Sequence, residues 1–334
     1  MSLVRNFTEK FTLQNVFIFV FLILISCQNS LKNSPEAKEK RVELTSDTLY
    51  EWTKLLDSAD WKKNYNFQMF SVNDTLWTFH PEGTWYSLNG VNWTKSVLPN
   101  VIQNHAFLDY ILWKGSVYGL GYFNGNIEQF EFKPEIYKTT DFKKWKTLSK
   151  NSNLPPRFFY HPFVFDNKIW IIGGEEKNKK YSDIWNSEDG MTWKKQKENL
   201  PFGMRSGSQI VTLNNTLYLL DNDVWISKDG LLWEKISDEI IKGEEIFGYS
   251  ALVFDEKIWL LGCNRNGQFS SQVLYSHDGK TWLTQSAPWL PRGGIAATVY
   301  QNKIYMTGGK YGGTPDHPDF RYDNDVWTLE KKKY

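Results

Sequence analysis

The chain has 334 residues, with 39 Lys and Arg against 38 Asp and Glu, a net charge of +1, 16 tryptophans and only two cysteines. A near-neutral chain without a basic stripe lacks the electrostatic footprint of a nucleic-acid binder. Two cysteines cannot make a disulfide framework.

Arg5 and Lys10 precede an apolar run from Val16 to Ile25, closed by Leu24-Ile25-Ser26-Cys27. The run is too short to cross a bilayer comfortably and stops at a small residue and a cysteine, the pattern of a targeting signal. It resembles a bacterial lipoprotein signal peptide. The resemblance implies cleavage after Ser26, lipid on Cys27 and attachment to a membrane through that lipid. Gln28 stands where enterobacterial lipoproteins held in the inner membrane carry Asp, so the expected place is the cell envelope, at the outer membrane. Residues 1–26 are read as signal and 27–45 as a polar, flexible tether. Loss of the signal removes Arg5, Glu9 and Lys10 and leaves 37 basic and 37 acidic residues. With Cys27 committed to lipid, Cys263 is expected to be a small buried core residue.

From residue 46 to residue 334 one pattern returns. Ser87-Leu-Asn-Gly-Val-Asn-Trp93, Thr139-Thr-Asp-Phe-Lys-Lys-Trp145, Ser187-Glu-Asp-Gly-Met-Thr-Trp193, Ser227-Lys-Asp-Gly-Leu-Leu-Trp233 and Ser276-His-Asp-Gly-Lys-Thr-Trp282 share a hydroxyl, an Asn or Asp, usually Gly, and a closing Trp. Asn-Gly and Asp-Gly accept the positive φ of tight turns, so each copy predicts a hairpin. An aromatic lies two residues before most copies (Trp85, Tyr137, Trp185, Trp225). A further strand is centred on Trp77, Tyr118, Trp170, Tyr218, Trp259 or Tyr305. With a small or apolar strand before that, each unit holds four strands, and a period of roughly 40 to 50 residues predicts an all-β propeller. Thirteen of the 16 tryptophans occupy repeated positions, as core residues would.

Lys-Ile-Tyr/Trp strands, the doublets Gly173-Gly174 and Gly308-Gly309, and the Asp-Val-Trp strands resemble kelch repeats, with Gly262-Cys263 and Gly121-Tyr122 as degenerate forms. The similarity, to the galactose oxidase-like superfamily, covers about residues 50 to 329. The Ser-x-Asp-Gly turns are also similar to the Asp-box of sialidases, one residue shorter. In both families this turn is structural. The closing Trp after Trp327 would fall at 335, and Tyr50-Glu-Trp-Thr-Lys54 is an orphan strand. The N-terminal strand is therefore expected to complete a sixth blade and leave no open edge.

In such a ring, the segment leading into the innermost strand and the loop after the second strand open on one face. Thirteen residues before the second-strand aromatics lie Asn64, His105, Arg157, Arg205, Ile246 and Arg292. Three arginines in register suit an acidic or polyhydroxylated ligand at a central mouth. The same register also admits arginines that bridge neighbouring blades through local carbonyls or carboxylates. The irregular loops add Tyr122, Phe123, Phe130, Phe132, Trp289, Tyr311, Asp316 and His317 as candidate pocket residues. The expected role is a monomeric binding module for a glycan or protein partner.

A copper oxidase of the galactose oxidase type needs grouped His, Tyr and Cys. His80, His105, His161, His277 and His317 are scattered, and no metal or other cofactor is expected. The enzymatic alternative is a sugar mutarotase similar to the kelch-type sialic acid epimerase, which would need an acid/base carboxylate such as Glu175 or Glu176.

Overall fold

A computed structural model describes residues 49–65, 67–96, 108–124, 131–176, 179–313 and 317–332. The signal and tether with Cys27, and also His105, Phe130 and Asp316, lie outside the described residues. The described residues are strands and turns without a helix. Among the described residues, six four-stranded antiparallel sheets carry the architecture, an all-β propeller. Their innermost strands are Gln68–Val72, Asp109–Trp113, Phe163–Phe165, Gln209–Leu213, Ser250–Phe254 and Ala296–Tyr300. These strands pack side by side from sheet to sheet, first with sixth, sixth with fifth, fifth with fourth, and second with third. Second strands such as Thr216–Leu220 and Lys257–Leu261 are buried almost throughout, because neighbouring sheets cover both faces.

The tightest turns are not the Ser-x-Asp-Gly repeats. They join the first strand of each sheet to its second, through two residues with positive φ. Asn214-Asn215 sits at 49° and 56°, and Asn73-Asp74 and Asp166-Asn167 match it. These are primed hairpin turns, whose twist fits the strands they join. The Ser-x-Asp-Gly copies instead form six-residue connections, since Val224–Ser227 resumes only at Glu234. Side chains hold them in shape. The Ser227 hydroxyl accepts the Gly230 amide at 2.8 Å, and Asp229 accepts the amides of Leu231 and Leu232 at 2.8 Å each. Trp233 Nε1 closes the loop on the Gly230 carbonyl at 2.9 Å.

Each such turn presses on the second-strand aromatic of the preceding sheet. A Cβ on Gly90 would meet Tyr305 at 2.5 Å and one on Gly190 would meet Tyr118 at 2.8 Å, so close approach and positive φ both demand glycine there. Phe142 takes the equivalent place in the second sheet at φ 59° and stacks on Trp77 at 5.0 Å.

The seam is built as the sequence implied. Tyr50–Leu56 pairs antiparallel with Val326–Lys331 and completes the sheet of Ala296–Tyr300 and Lys303–Thr307. Tyr50 meets Trp259 edge-on at 4.8 Å, and Trp52 meets Trp289 at 5.8 Å. Cys263 is buried, and burial pushes its thiol up to about 12, so it packs as a small apolar residue.

Candidate functional site

Backbone hydrogen bonds tie the lead-in segments and second-strand loops into a belt on one face. Gly174 N donates to Arg205 O, Gly309 N to Asn64 O, and Gly294 N to Gly248 O. These bonds join segments of neighbouring sheets, and the three arginines at the register positions are each engaged by groups of the fold. Arg157 is 2 % exposed and holds Asp183 through both terminal nitrogens, at 2.6 and 3.2 Å, while also donating to Gly173 O at 2.7 Å. Arg292, 1 % exposed, grips Asp325 the same way and donates to Gly308 O. Arg205 reaches Asp223 at 2.8 Å and donates to Phe202 O. The Oδ2 of each carboxylate, which also faces the second terminal nitrogen of its arginine, accepts an indole Nε1: Trp185 on Asp183, Trp225 on Asp223 and Trp327 on Asp325, at 2.7 to 2.8 Å. Burial opposes the charge on these aspartates, but the guanidinium partner outweighs it and holds each carboxyl below its usual range.

The expected convergence of three free guanidinium groups is thus replaced by three Arg–Asp–Trp clamps inside their own sheets. Their uneven distribution has a local cause. The Asp stands two residues before the third-strand aromatic, and where it is absent the arginine is absent too. Gly83, Glu135 and Gln272 occupy that place in the first, second and fifth sheets. In the fifth, where the lead-in residue is Ile246, Gln272 instead accepts Arg265 from a neighbouring hairpin. This pairing was visible in the sequence as Arg matched with Asp-x-Trp.

Among the loop candidates, two are corrected. Trp289 is 3 % exposed and packs on Trp52 in the core of the seam. Phe123 is 4 % exposed, its ring beside Phe132 and Phe158. Both fill space that large loops would otherwise leave empty. Tyr122 is half-buried beside Glu135 and Tyr137. Asn64 uses its side-chain oxygen on the Tyr65 amide. Glu175 accepts the Ser206 hydroxyl at 2.6 Å, and Glu176 accepts the Tyr181 hydroxyl at 3.0 Å. Tyr311 and the exposed His317 lie ring to ring at 4.9 Å.

One recess on this rim brings two register positions together, Arg205 and Ile246. It encloses about 340 Å³ between the lead-in segments of the fourth and fifth sheets, with Lys180, Asp221, Asn222, Glu245 and Phe247 in its wall. Phe247 is 49 % exposed at its lip. Asn222 spends its side-chain oxygen on the Ile246 amide, at 2.9 Å. Burial raises the Asp221 carboxyl above its usual value, with Arg205 opposing and Asp223 adding to the rise. Ser208 donates to it at 3.1 Å. A second recess of about 280 Å³ lies beside the Ser227–Trp233 turn, but its Ser227 and Asp229 are spent on that turn.

Asp109 opens the innermost strand of the second sheet beside Gln68 and Tyr160. Burial raises its carboxyl from 3.8 to about 7, against the pull of hydrogen bonds from both neighbours. The unfolded chain loses this proton near 3.8 and the folded one only near 7, so stability falls as pH rises across that window and the penalty is constant above it. Asp109→Asn is therefore expected to melt higher than the wild type by an amount that grows from pH 4 to pH 7 and then levels off. A difference in melting temperature that ignores pH would refute the assignment.

A family model described as the DUF6242 beta propeller domain matches residues 139–308. Among solved structures, the chain is similar to one described as "Structure of YjhT", with a TM-score of 0.65 and 12 % identity over 83 % of this chain and 97 % of that one. At that identity the likeness concerns the fold. No curated protein matches the sequence.

Proposed function

Since the chain belongs to the DUF6242 beta propeller family, we propose that it is a binding module whose ligand is a glycan seated in the recess between the fourth and fifth sheets. The observation that carries this reading is the exposed Phe247 ring beside Lys180, Asn222 and Glu245, a flat apolar face next to directional polar groups. Sugars need both at once, one for their C–H face and the other for their hydroxyls. A protein partner would call for a broader surface than this recess. The module is held at the cell envelope by lipid on Cys27 and works as a monomer of the kelch type.

The test is a glycan panel presented to the full-length protein. Phe247→Ala and Glu245→Ala are each expected to weaken the bound glycan about tenfold, or about 1.4 kcal/mol, with unchanged melting. Absence of any bound glycan, or full affinity in both variants, would overturn the reading. One observation favours a second reading, a sugar mutarotase: the Asp221 carboxyl is raised by burial and opens into the same recess, as an acid/base group must. Anomer exchange followed by NMR separates the two, because a binder shifts sugar resonances without speeding exchange.

A further inference from the structure

On the same rim, the hairpin of Lys310–Tyr311 and Arg321–Tyr322 lies against the lead-in segment of the first sheet. Tyr65 stacks on Tyr322 at 5.7 Å with 21° between planes, and Phe320 stacks on Tyr322 at 6.1 Å with 23°. Three near-parallel rings thus form a row whose outer member, Phe320, is 52 % exposed. The Lys310 amine stands 4.6 Å from the Tyr65 centroid and 5.3 Å from that of Phe320. Arg157, Arg205, Arg265, Arg292 and Arg321 each reach a carboxylate. Lys310, half-buried, reaches none among the described residues.

We propose that Lys310 and the Tyr65–Tyr322–Phe320 row form a second binding site, for the anionic ring of an acidic polysaccharide, with the carboxylate or sulfate on the Lys310 amine and the sugar face on Phe320. Ring faces stabilise the ammonium only in part, and they leave its outward side for an anion. Even half-buried, an amine without a counter-ion is disfavoured in its charged form, and burial alone pulls Lys310 below its ordinary value. An arriving anion supplies the missing charge. Phe320 offers the flat, rigid surface on which a pyranose packs. Arg321 is not free to compete with Lys310 for the anion, because it is held at Pro291 O at 2.9 Å and near Asp323 at 3.4 Å.

The probes are polygalacturonate for the carboxylate, dextran sulfate for the sulfate, and neutral dextran as control, titrated calorimetrically into the full-length protein. Binding of either polyanion is expected, with at least a tenfold loss in Lys310→Met, a similar loss in Phe320→Ala, and most affinity kept in Lys310→Arg. Which polyanion binds identifies the anion. Phe247→Ala is expected to leave polyanion binding unchanged, so a failed glycan recess and a failed second site give different results. Binding of neither polyanion, or affinity within twofold of wild type in a folded Lys310→Met, overturns the proposal. So does loss of polyanion binding in Phe247→Ala.

Discussion

Asp325→Ala is expected to destabilise the fold by about 3–5 kcal/mol, the cost of leaving one partner of a buried ion pair behind. Arg292 would keep its charge at 1 % exposure with its terminal nitrogens answered only by the Gly308 carbonyl, while its Nε keeps the Leu290 carbonyl and Asp323 at 3.4 Å, and Trp327 would lose its acceptor. Asp183→Ala should behave alike through Arg157 and Trp185. The double replacement Arg292→Met with Asp325→Leu is expected to recover most of the loss, because it removes both charges together. The fifth sheet already uses the uncharged residues Ile246 and Gln272 at these places. Urea denaturation followed by circular dichroism measures all of these. A loss below about 1 kcal/mol in the single variants would mean the clamps are ornamental and the arginines free for another role.

Deletion through Leu56 is expected to be as damaging. It removes a whole strand, strips Val326–Lys331 of its partner and takes away Tyr50 and Trp52. Loss of one such core aromatic costs about 3–5 kcal/mol, and the bared edge invites pairing between molecules. Deletion through residue 44 serves as the reference. The longer deletion should melt far lower and associate, and equal melting temperatures for the two would show that the ring is not held at this seam.

Most of the architecture was legible because a propeller repeats its local chemistry. The Asp229 and Asp189 turns, the second strands centred on their aromatics and the orphan strand at Tyr50–Lys54 each announced themselves through spacing. The seam could be placed because the last repeat lacked a strand that the first residues of the domain supplied. The site was harder to read. Register grouped Arg157, Arg205 and Arg292 as equivalent positions, but register carries no information on where a guanidinium points. That is set by the Asp two residues before the next aromatic, a partner 18 to 33 residues away in sequence. Trp289 and Phe123 read as loop residues because they break the repeat, yet irregular loops must also be packed, and large rings do that packing. The Lys310 cradle escaped notice because Tyr65 and Lys310 lie at opposite ends of the domain and meet only when the ring closes.

The central claim is that a ligand is read by the recess between the fourth and fifth sheets while the arginine clamps hold the frame. The most direct measurement is an amide NMR titration of the isotope-labelled protein with the glycan that binds best in the panel. Shifts confined to Lys180, Arg205–Ser206, Asp221–Asn222 and Glu245–Phe247 are predicted, with Arg157, Asp183, Arg292 and Asp325 unmoved. Shifts centred on the Ser-x-Asp-Gly turns, or on the Arg157 and Arg292 clamps with the recess silent, would contradict it.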